Sequence, residues 1–221
     1  YIQLDSFHTT HGRALPFATG LKLARPQTKV IVVSGDGDLF AIGGNHFIHA
    51  ARRNMDMTVV CVNNLNYGMT GGQQAPSTPL GAKTTTSVNG SPEEPFNFSY
   101  LASACGATYV ARWTAMQVRS LRSSIGEALE KRGFSFVEVI TPCPSSFGRR
   151  NRMGSALEML KFYQGRSVIR GDIDPKDASM DIDKEIVVGK FVDIERPTFM
   201  DHYEKFNRPQ MPQWRPMHPD T

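Results

Sequence analysis

The sequence predicts an α/β domain, a parallel sheet flanked by helices, with an irregular C-terminal tail. Three observations predict it. Four short β-branched runs recur before Thr141, they are continuously apolar rather than alternating, and helical patterns separate them. Continuous apolar runs mark strands covered on both faces. Alternation of strand and helix closes a parallel sheet through right-handed crossovers.

Taken in order, a helix is expected over Gly12–Ala24 and a strand over Lys29–Ser34 (KVIVVS). A helix over Ala41–Asn54 and a strand over Met57–Asn63 (MTVVCVN) follow. A helix over Asn97–Cys105, a strand over Ala107–Ala111, a helix over Thr114–Arg132 and a strand over Phe134–Ile140 (FSFVEVI) complete the pattern. In the last helix Met116, Leu121, Ile125 and Leu129 gather near one face, as an amphipathic helix requires. Residues 64–95 lack any periodicity and are rich in Gly, Pro, Thr and Ser. So long a loop inside a compact domain is usually functional. After Gly165 the chain turns polar, with Asp172, Asp174, Asp177, Asp181 and Asp183, and it becomes Pro-rich from Arg208. The division expected is therefore a ligand-binding α/β domain over 1–165 and an extended, partner-contacting arm over 166–221.

Composition narrows the function classes. The 221 residues suffice for one sizeable core, and 40% hydrophobic with 21% charged residues is ordinary for a globular protein. Net charge is +4, without a dense basic block before Gly148-Arg149-Arg150-Asn151-Arg152, so nucleic acid is not the expected partner. The longest purely apolar run, Val30–Val33, is far too short for a membrane span. Cys61, Cys105 and Cys143 are odd in number and widely spaced, which argues against a disulfide framework and for a reducing cytoplasm. The chain opens at Tyr1, inside what reads as structured sequence, and a preceding segment is expected.

The strongest local signal is KVIVVSGDGD, followed by a helix and then TVVCVNNLNYG. Gly35 follows the first strand, where the backbone turns and lies close to a ligand; glycine gives that freedom without steric cost. In parallel sheets ligands bind beyond the carboxyl ends of strands, and the next helix directs N–H groups there, which favours phosphate. Asp36 adds a hard anionic oxygen. Asn64, at the end of the second strand, offers a side-chain carbonyl, and Asn66 a backbone carbonyl. Three protein oxygens, two from a diphosphate and one water complete the octahedron that Mg²⁺ prefers. Gly-Asp-Gly alone is common turn punctuation. Its pairing with Asn63-Asn64 one βαβ unit later is what makes it specific.

The Gly35-Asp36-Gly37 turn with Asn64 downstream resembles the diphosphate-binding motif of thiamine-diphosphate enzymes. HTTHGRALPFATGLKLARP (His8–Pro26), GDGDLFAIGGNHFIHAARRN (Gly35–Asn54), NNLNYGMTGGQQAPSTPLG (Asn63–Gly81) and FSFVEVITPCP (Phe134–Pro144) resemble β subunits of 2-oxoacid:ferredoxin oxidoreductases, the 2-oxoglutarate type above all. The resemblance covers about Phe7 to Ser145 and implies the thiamin-diphosphate-binding fold. It also implies Mg²⁺ on Asp36, Asn64 and the Asn66 carbonyl, with Gly35, Gly37 and Asp38 at the diphosphate. Gly68, Met69 and Thr70 approach the cofactor from the loop, and His8 from the preceding segment. Cys143 matches the last ligand of a [4Fe–4S] cluster whose other cysteines are expected upstream of Tyr1. The reaction implied is oxidative decarboxylation of a 2-oxoacid to acyl-CoA and CO₂, with electrons passed through the cluster to ferredoxin. The glutamate that activates the cofactor is expected from an α subunit, in an (αβ)₂ assembly, so the β chain alone is expected to be inactive.

Other readings stand beside these. A non-redox thiamine-dependent decarboxylase shares Asp36 and Asn64, and so does a Mg²⁺-nucleotide module without catalysis. His46 and His49 are three apart on one helix and read as packing or interface residues, because metal-binding pairs are usually four apart beside an acid. His11 either touches the cofactor or caps a helix. Arg13 suits a substrate carboxylate or an interhelical salt bridge equally. Met69 reads as pocket wall, Glu93 and Glu94 as solvated, and Arg149, Arg150 and Arg152 as a solvated or partner-facing surface. Cys61 and Cys105 read as core, and Cys143 as an exposed, rigid turn between two prolines.

Overall fold

The computed structural model describes residues 4–178 and 180–207. Eight elements fall where the sequence places them: α1 (Ala14–Ala24), β1 (Ile31–Gly35), α2 (Gly44–Arg52), β2 (Met57–Asn63), α3 (Phe98–Ala104), β3 (Tyr109–Thr114), α4 (Val118–Glu130) and β4 (Phe134–Ile140). β1, β2, β4 and β3 lie side by side in that order and all run parallel. The expected helix over Ala41–Asn54 divides into a short π-helical turn, Asp38–Ile42, and α2.

Two expectations change. β1 is an edge strand in this chain. Val32 is buried, whereas Ile31 and Val33 on its other face are exposed, Val33 at 57%. The second difference is the tail. After α5 (Ala156–Arg166), residues 167–193 supply β5 (Ser167–Ile169) and β6 (Ile186–Asp193), and α6 (Phe199–Asn207) follows. β6 pairs antiparallel with β3, and β5 parallel with β6, so the sheet has the order β1-β2-β4-β3-β6-β5. The strand went unread because Gly189 and Lys190 interrupt its apolar run and acidic segments precede it; pairing with the fully buried β3 selects it. Its register slips between Val110 and Ala111. The Pro-rich stretch from Arg208 lies outside the described residues.

Apolar side chains collect on both faces. On one, Phe40, Phe47, Phe98, Phe134 and Phe136 pack between the sheet and α1 to α3, with Phe40 stacked on Phe98 at 3.8 Å between ring centroids. Full burial of one such side chain contributes roughly 1.5–3 kcal/mol. On the other, Tyr109, Trp113, Phe147, Met159, Tyr163 and Ile186 form a second cluster that includes Cys143. On the first face, beside α3, lies an ion pair with both side chains wholly buried, Arg112 Nε to Glu138 Oε2 at 2.7 Å, from neighbouring strands. Among the described residues no helix is long and apolar enough to cross a membrane.

Candidate functional site

The parallel ladder aligns Gly35 with Val62, so the chain leaves β1 and β2 at neighbouring points of the same sheet end. Asp36 follows Gly35 directly, and Asn64 follows two residues after Val62. Neither Gly35 nor Gly37 has a positive φ. Glycine at 37 is instead a matter of close approach: a Cβ there would stand 2.3 Å from the Tyr67 ring, whose hydroxyl donates to the Gly37 carbonyl at 3.1 Å. At Gly35 a Cβ would point into open space at the strand end.

Asp36 is 2% exposed. Burial pushes its carboxyl up to about 6, opposed by a hydrogen bond from the Ser77 hydroxyl and by the backbone N–H groups of Asp36 and Gly37. Among the described residues no lysine, arginine or histidine pairs with it. Asp38 behaves differently. Its carboxylate accepts from the Gly12 N–H at 2.6 Å and from the Ser34 hydroxyl, and faces His11 Nδ1 at 2.5 Å. Its side chain therefore fastens the segment carrying His8, His11 and Arg13 to the turn. His11 also packs edge-on to Tyr67, at 5.8 Å between centroids.

The opposite corner is set by Asn63. Its amide nitrogen donates to Glu138 Oε1 at 2.8 Å, and its oxygen accepts from the Leu65 N–H at 3.1 Å. That bond holds Leu65 at φ 67°, a left-handed conformation rare for leucine, and bends the chain so that Asn64 and Asn66 follow. Asn64 Oδ1 lies 3.4 Å from the Asn66 N–H. The buried Asn66 amide, oriented to satisfy its hydrogen bonds, sits between Asn64 Oδ1 and the Phe147 N–H, at 3.2 Å from each. Glu138 is itself fixed by Arg112 and by the Ser99 hydroxyl. Arg112 reaches on to the Ala178 and Val187 carbonyls and to Asn97.

One carboxylate with amide and carbonyl oxygens is a hard, oxygen-only donor set, which fits Mg²⁺ that takes its remaining ligands from phosphate and water. Among the described residues no group of three or more His, Cys, Asp or Glu side chains could hold a metal by itself. On α2, His49 Nδ1 accepts from Arg52 Nε at 3.4 Å.

Cys143 corrects the expectation of an exposed turn: it is buried, covered by the Phe147 and Tyr163 layer. It lies beside the cation corner. A Cβ on Gly68 would meet Asn64 Nδ2 at 2.9 Å and Cys143 Sγ at 3.4 Å. Cys61 is fully buried in β2, and Cys105 is half-buried at the end of α3, so this chain brings a single thiol to that corner. An iron–sulfur cluster does not fit on the residues of this chain alone.

The remaining expected residues are exposed: His8, Arg13, Met69 and Thr70. Thr70 donates to Gln73 at 2.7 Å, and Arg13 to the Gly12 carbonyl at 3.3 Å. Glu93, Glu94, Arg149, Arg150 and Arg152 are exposed as well. Ser77, Tyr67, Glu138 and Arg112 escaped the sequence reading. Ser77 sits among many Ser and Thr residues in an aperiodic loop, and Arg112 lies one residue beyond the strand expected over Ala107–Ala111, which in the structure runs on to Thr114. Glu138 carried a signal, a charged residue inside a strand read as apolar.

Residues 1–139 match the thiamine pyrophosphate enzyme, C-terminal TPP binding domain. The 2-oxoglutarate synthase subunit KorB of Methanothermobacter marburgensis is 50% identical over 204 residues, 91% of this chain and 70% of that protein. That of Methanocaldococcus jannaschii is 50% identical over 206 residues, 93% of this chain and 76% of its own length. The solved 2-oxoglutarate:ferredoxin oxidoreductase from Magnetococcus marinus, with 2-oxoglutarate, coenzyme A and succinyl-CoA bound, superposes with a TM-score of 0.77 at 31% identity. The match covers 90% of this chain and 68% of that one. Family match, identity over nearly the whole chain and shared fold lead to one assignment: the chain belongs to the β subunits of the 2-oxoacid:ferredoxin oxidoreductases, which carry a thiamine pyrophosphate-binding domain.

Proposed function

We propose that this chain supplies the diphosphate half of the active site of a 2-oxoglutarate:ferredoxin oxidoreductase. The observation that carries this is Asp36, a buried carboxylate at the carboxyl end of a parallel strand, held by a hydroxyl and by no cationic side chain among the described residues. Such a group calls for a cation from outside the chain. Asp36, the Asn64 side chain and the Asn66 carbonyl would hold Mg²⁺, and Mg²⁺ the diphosphate. Gly35 leaves space at the strand end, and Gly37 and Asp38 would line the diphosphate. His8, Gly68, Met69 and Thr70 would border the cofactor, and Arg13 would meet a substrate carboxylate. The names of the relatives and the ligands of the solved structure support 2-oxoglutarate as substrate and coenzyme A as acyl acceptor.

Thiamine diphosphate supplies the carbon nucleophile that takes up a 2-oxoacid and lets CO₂ depart. The chain's own residues bind and orient it and keep its charged end out of bulk water. Glu93 and Glu94 are exposed, and Glu138 is wholly engaged by Arg112, Ser99 and Asn63. As the family resemblance implies, the acid–base glutamate would come from an α subunit, in an (αβ)₂ assembly. Residues 1–165 would carry the cofactor, and the part of 166–221 that lies outside β5 and β6 would contribute partner contacts; exposed Tyr203 and Phe206 on α6 suit that role. Cys143 would be one ligand of a [4Fe–4S] cluster whose other ligands the residues of this chain do not supply, and the cluster would pass electrons to ferredoxin. Three unpaired cysteines suit a reducing cytoplasm.

Calorimetric titration with thiamine diphosphate and with ADP, each with Mg²⁺, tests the reading. Binding of the first and not the second is expected, and preference for ADP would overturn it. The β chain should turn over only after the α subunit is added. Iron and acid-labile sulfide should be found in the full-length protein and fall in Cys143→Ser.

A further inference from the structure

The Asp36–Asn64 corner is braced by one dipeptide from the long loop. Ser77 and Thr78 are both buried. The Ser77 hydroxyl donates to Asp36 Oδ2, across 41 positions of sequence. The neighbouring Thr78 hydroxyl donates to the Leu65 carbonyl at 2.7 Å and accepts from the Ala75 N–H at 2.9 Å. Leu65 lies between Asn64 and Asn66. Two adjacent side chains thus hold the two halves of the proposed cation site, one on each strand end, while Tyr67 from the same loop reaches back to Gly37.

We infer that Ser77 is a positioning residue for the Mg²⁺ of the cofactor site. Its hydroxyl, with the Asp36 and Gly37 N–H groups, fixes the orientation of the Asp36 carboxylate towards the cation, and Thr78, through the Leu65 carbonyl, fixes the segment that carries Asn64 and Asn66. The inference rests on the proposed reading of Asp36 and Asn64. A carboxylate free to rotate would spend part of its affinity on being ordered. Partners that orient a metal ligand typically contribute roughly 10- to 100-fold in metal affinity.

The test is Mg²⁺ affinity itself, measured calorimetrically on the assembled enzyme after chelation and with thiamine diphosphate saturating. Ser77→Ala is expected to weaken Mg²⁺ by roughly 10-fold or more. Ser77→Thr, which keeps the hydroxyl, is expected to restore most of that loss, with the metal-free thermal midpoints of both close to that of the parent. Ser77→Cys, similar in size with only a weak donor, covers a folding defect in the alanine variant and should lose affinity in the same direction. Asp36→Asn separates the two levels. If it abolishes Mg²⁺ binding while Ser77→Ala binds like the parent, or while Ser77→Thr recovers nothing, the Ser77 inference falls and the site stands. If Asp36→Asn itself binds Mg²⁺ normally, both fall.

Discussion

Replacing Asp36 by asparagine should make the metal-free protein more stable while destroying its cation site. Burial raises the Asp36 carboxyl from 3.8 to about 6, so the folded state holds this proton more tightly than the unfolded chain. The sign follows. Between those values the folded state carries more protons than the unfolded state, and stability therefore falls as pH rises through that window. Below pH 4 both states are protonated, and the group contributes nothing. Above pH 6 the buried, ionised carboxylate costs about 3 kcal/mol. Asparagine keeps the shape and an acceptor for Ser77 without the charge, so up to about that amount should be recovered at pH 7.5. Urea unfolding of both proteins in EDTA between pH 4 and 8 measures it. The parent should lose stability across pH 4–6, the variant should lack that component, and the curves should meet near pH 4. Adding Mg²⁺ and thiamine diphosphate should then stabilise the parent alone, since only binding to the folded state shifts the equilibrium. A variant less stable than the parent at pH 7.5 without metal would refute the reasoning.

Glu138→Gln leaves Arg112 buried without its counter-charge. Breaking such a pair typically costs about 3–5 kcal/mol, and urea unfolding should show a loss of that order; under about 1 kcal/mol would contradict it. Gly37→Ala drives a methyl group to 2.3 Å from the Tyr67 ring. Thiamine diphosphate binding should weaken at least several-fold, and Gly37→Ala with Tyr67→Ala should recover part of it in the same calorimetric titration. Phe47→Ala empties a fully buried position against Phe40, Phe134 and Phe136. It should cost about 3–5 kcal/mol of stability, with unchanged cofactor affinity in the folded fraction.

What the sequence determined by itself was local. A strand such as Phe134–Ile140, buried at every position, declares itself by its Phe, Val and Ile on both faces, and the helices between strands by their own periodicity. Gly-Asp-Gly and Asn-Asn are each contiguous, and the βαβ rule brings two consecutive strand ends together without coordinates, so Asp36 and Asn64 could be named from residue order. Tertiary structure decided whatever depends on distant partners. Nothing in KVIVVS says that one of its faces stays open, because the sheet order that leaves β1 at the edge is set by how β4 inserts between β2 and β3. β6 is joined to the main sheet by β3, whose paired residues lie 77 or more positions earlier in the chain (Arg112 with Gly189), and an interrupted apolar run cannot announce such a partner. Cys143, read as exposed between its prolines, is buried because α5 brings Met159 and Tyr163 over it. Ser77, one hydroxyl among many in an aperiodic loop, gains its meaning from a carboxylate 41 residues away. Periodicity is a property of neighbours in sequence, whereas a cation site and its braces are properties of neighbours in space.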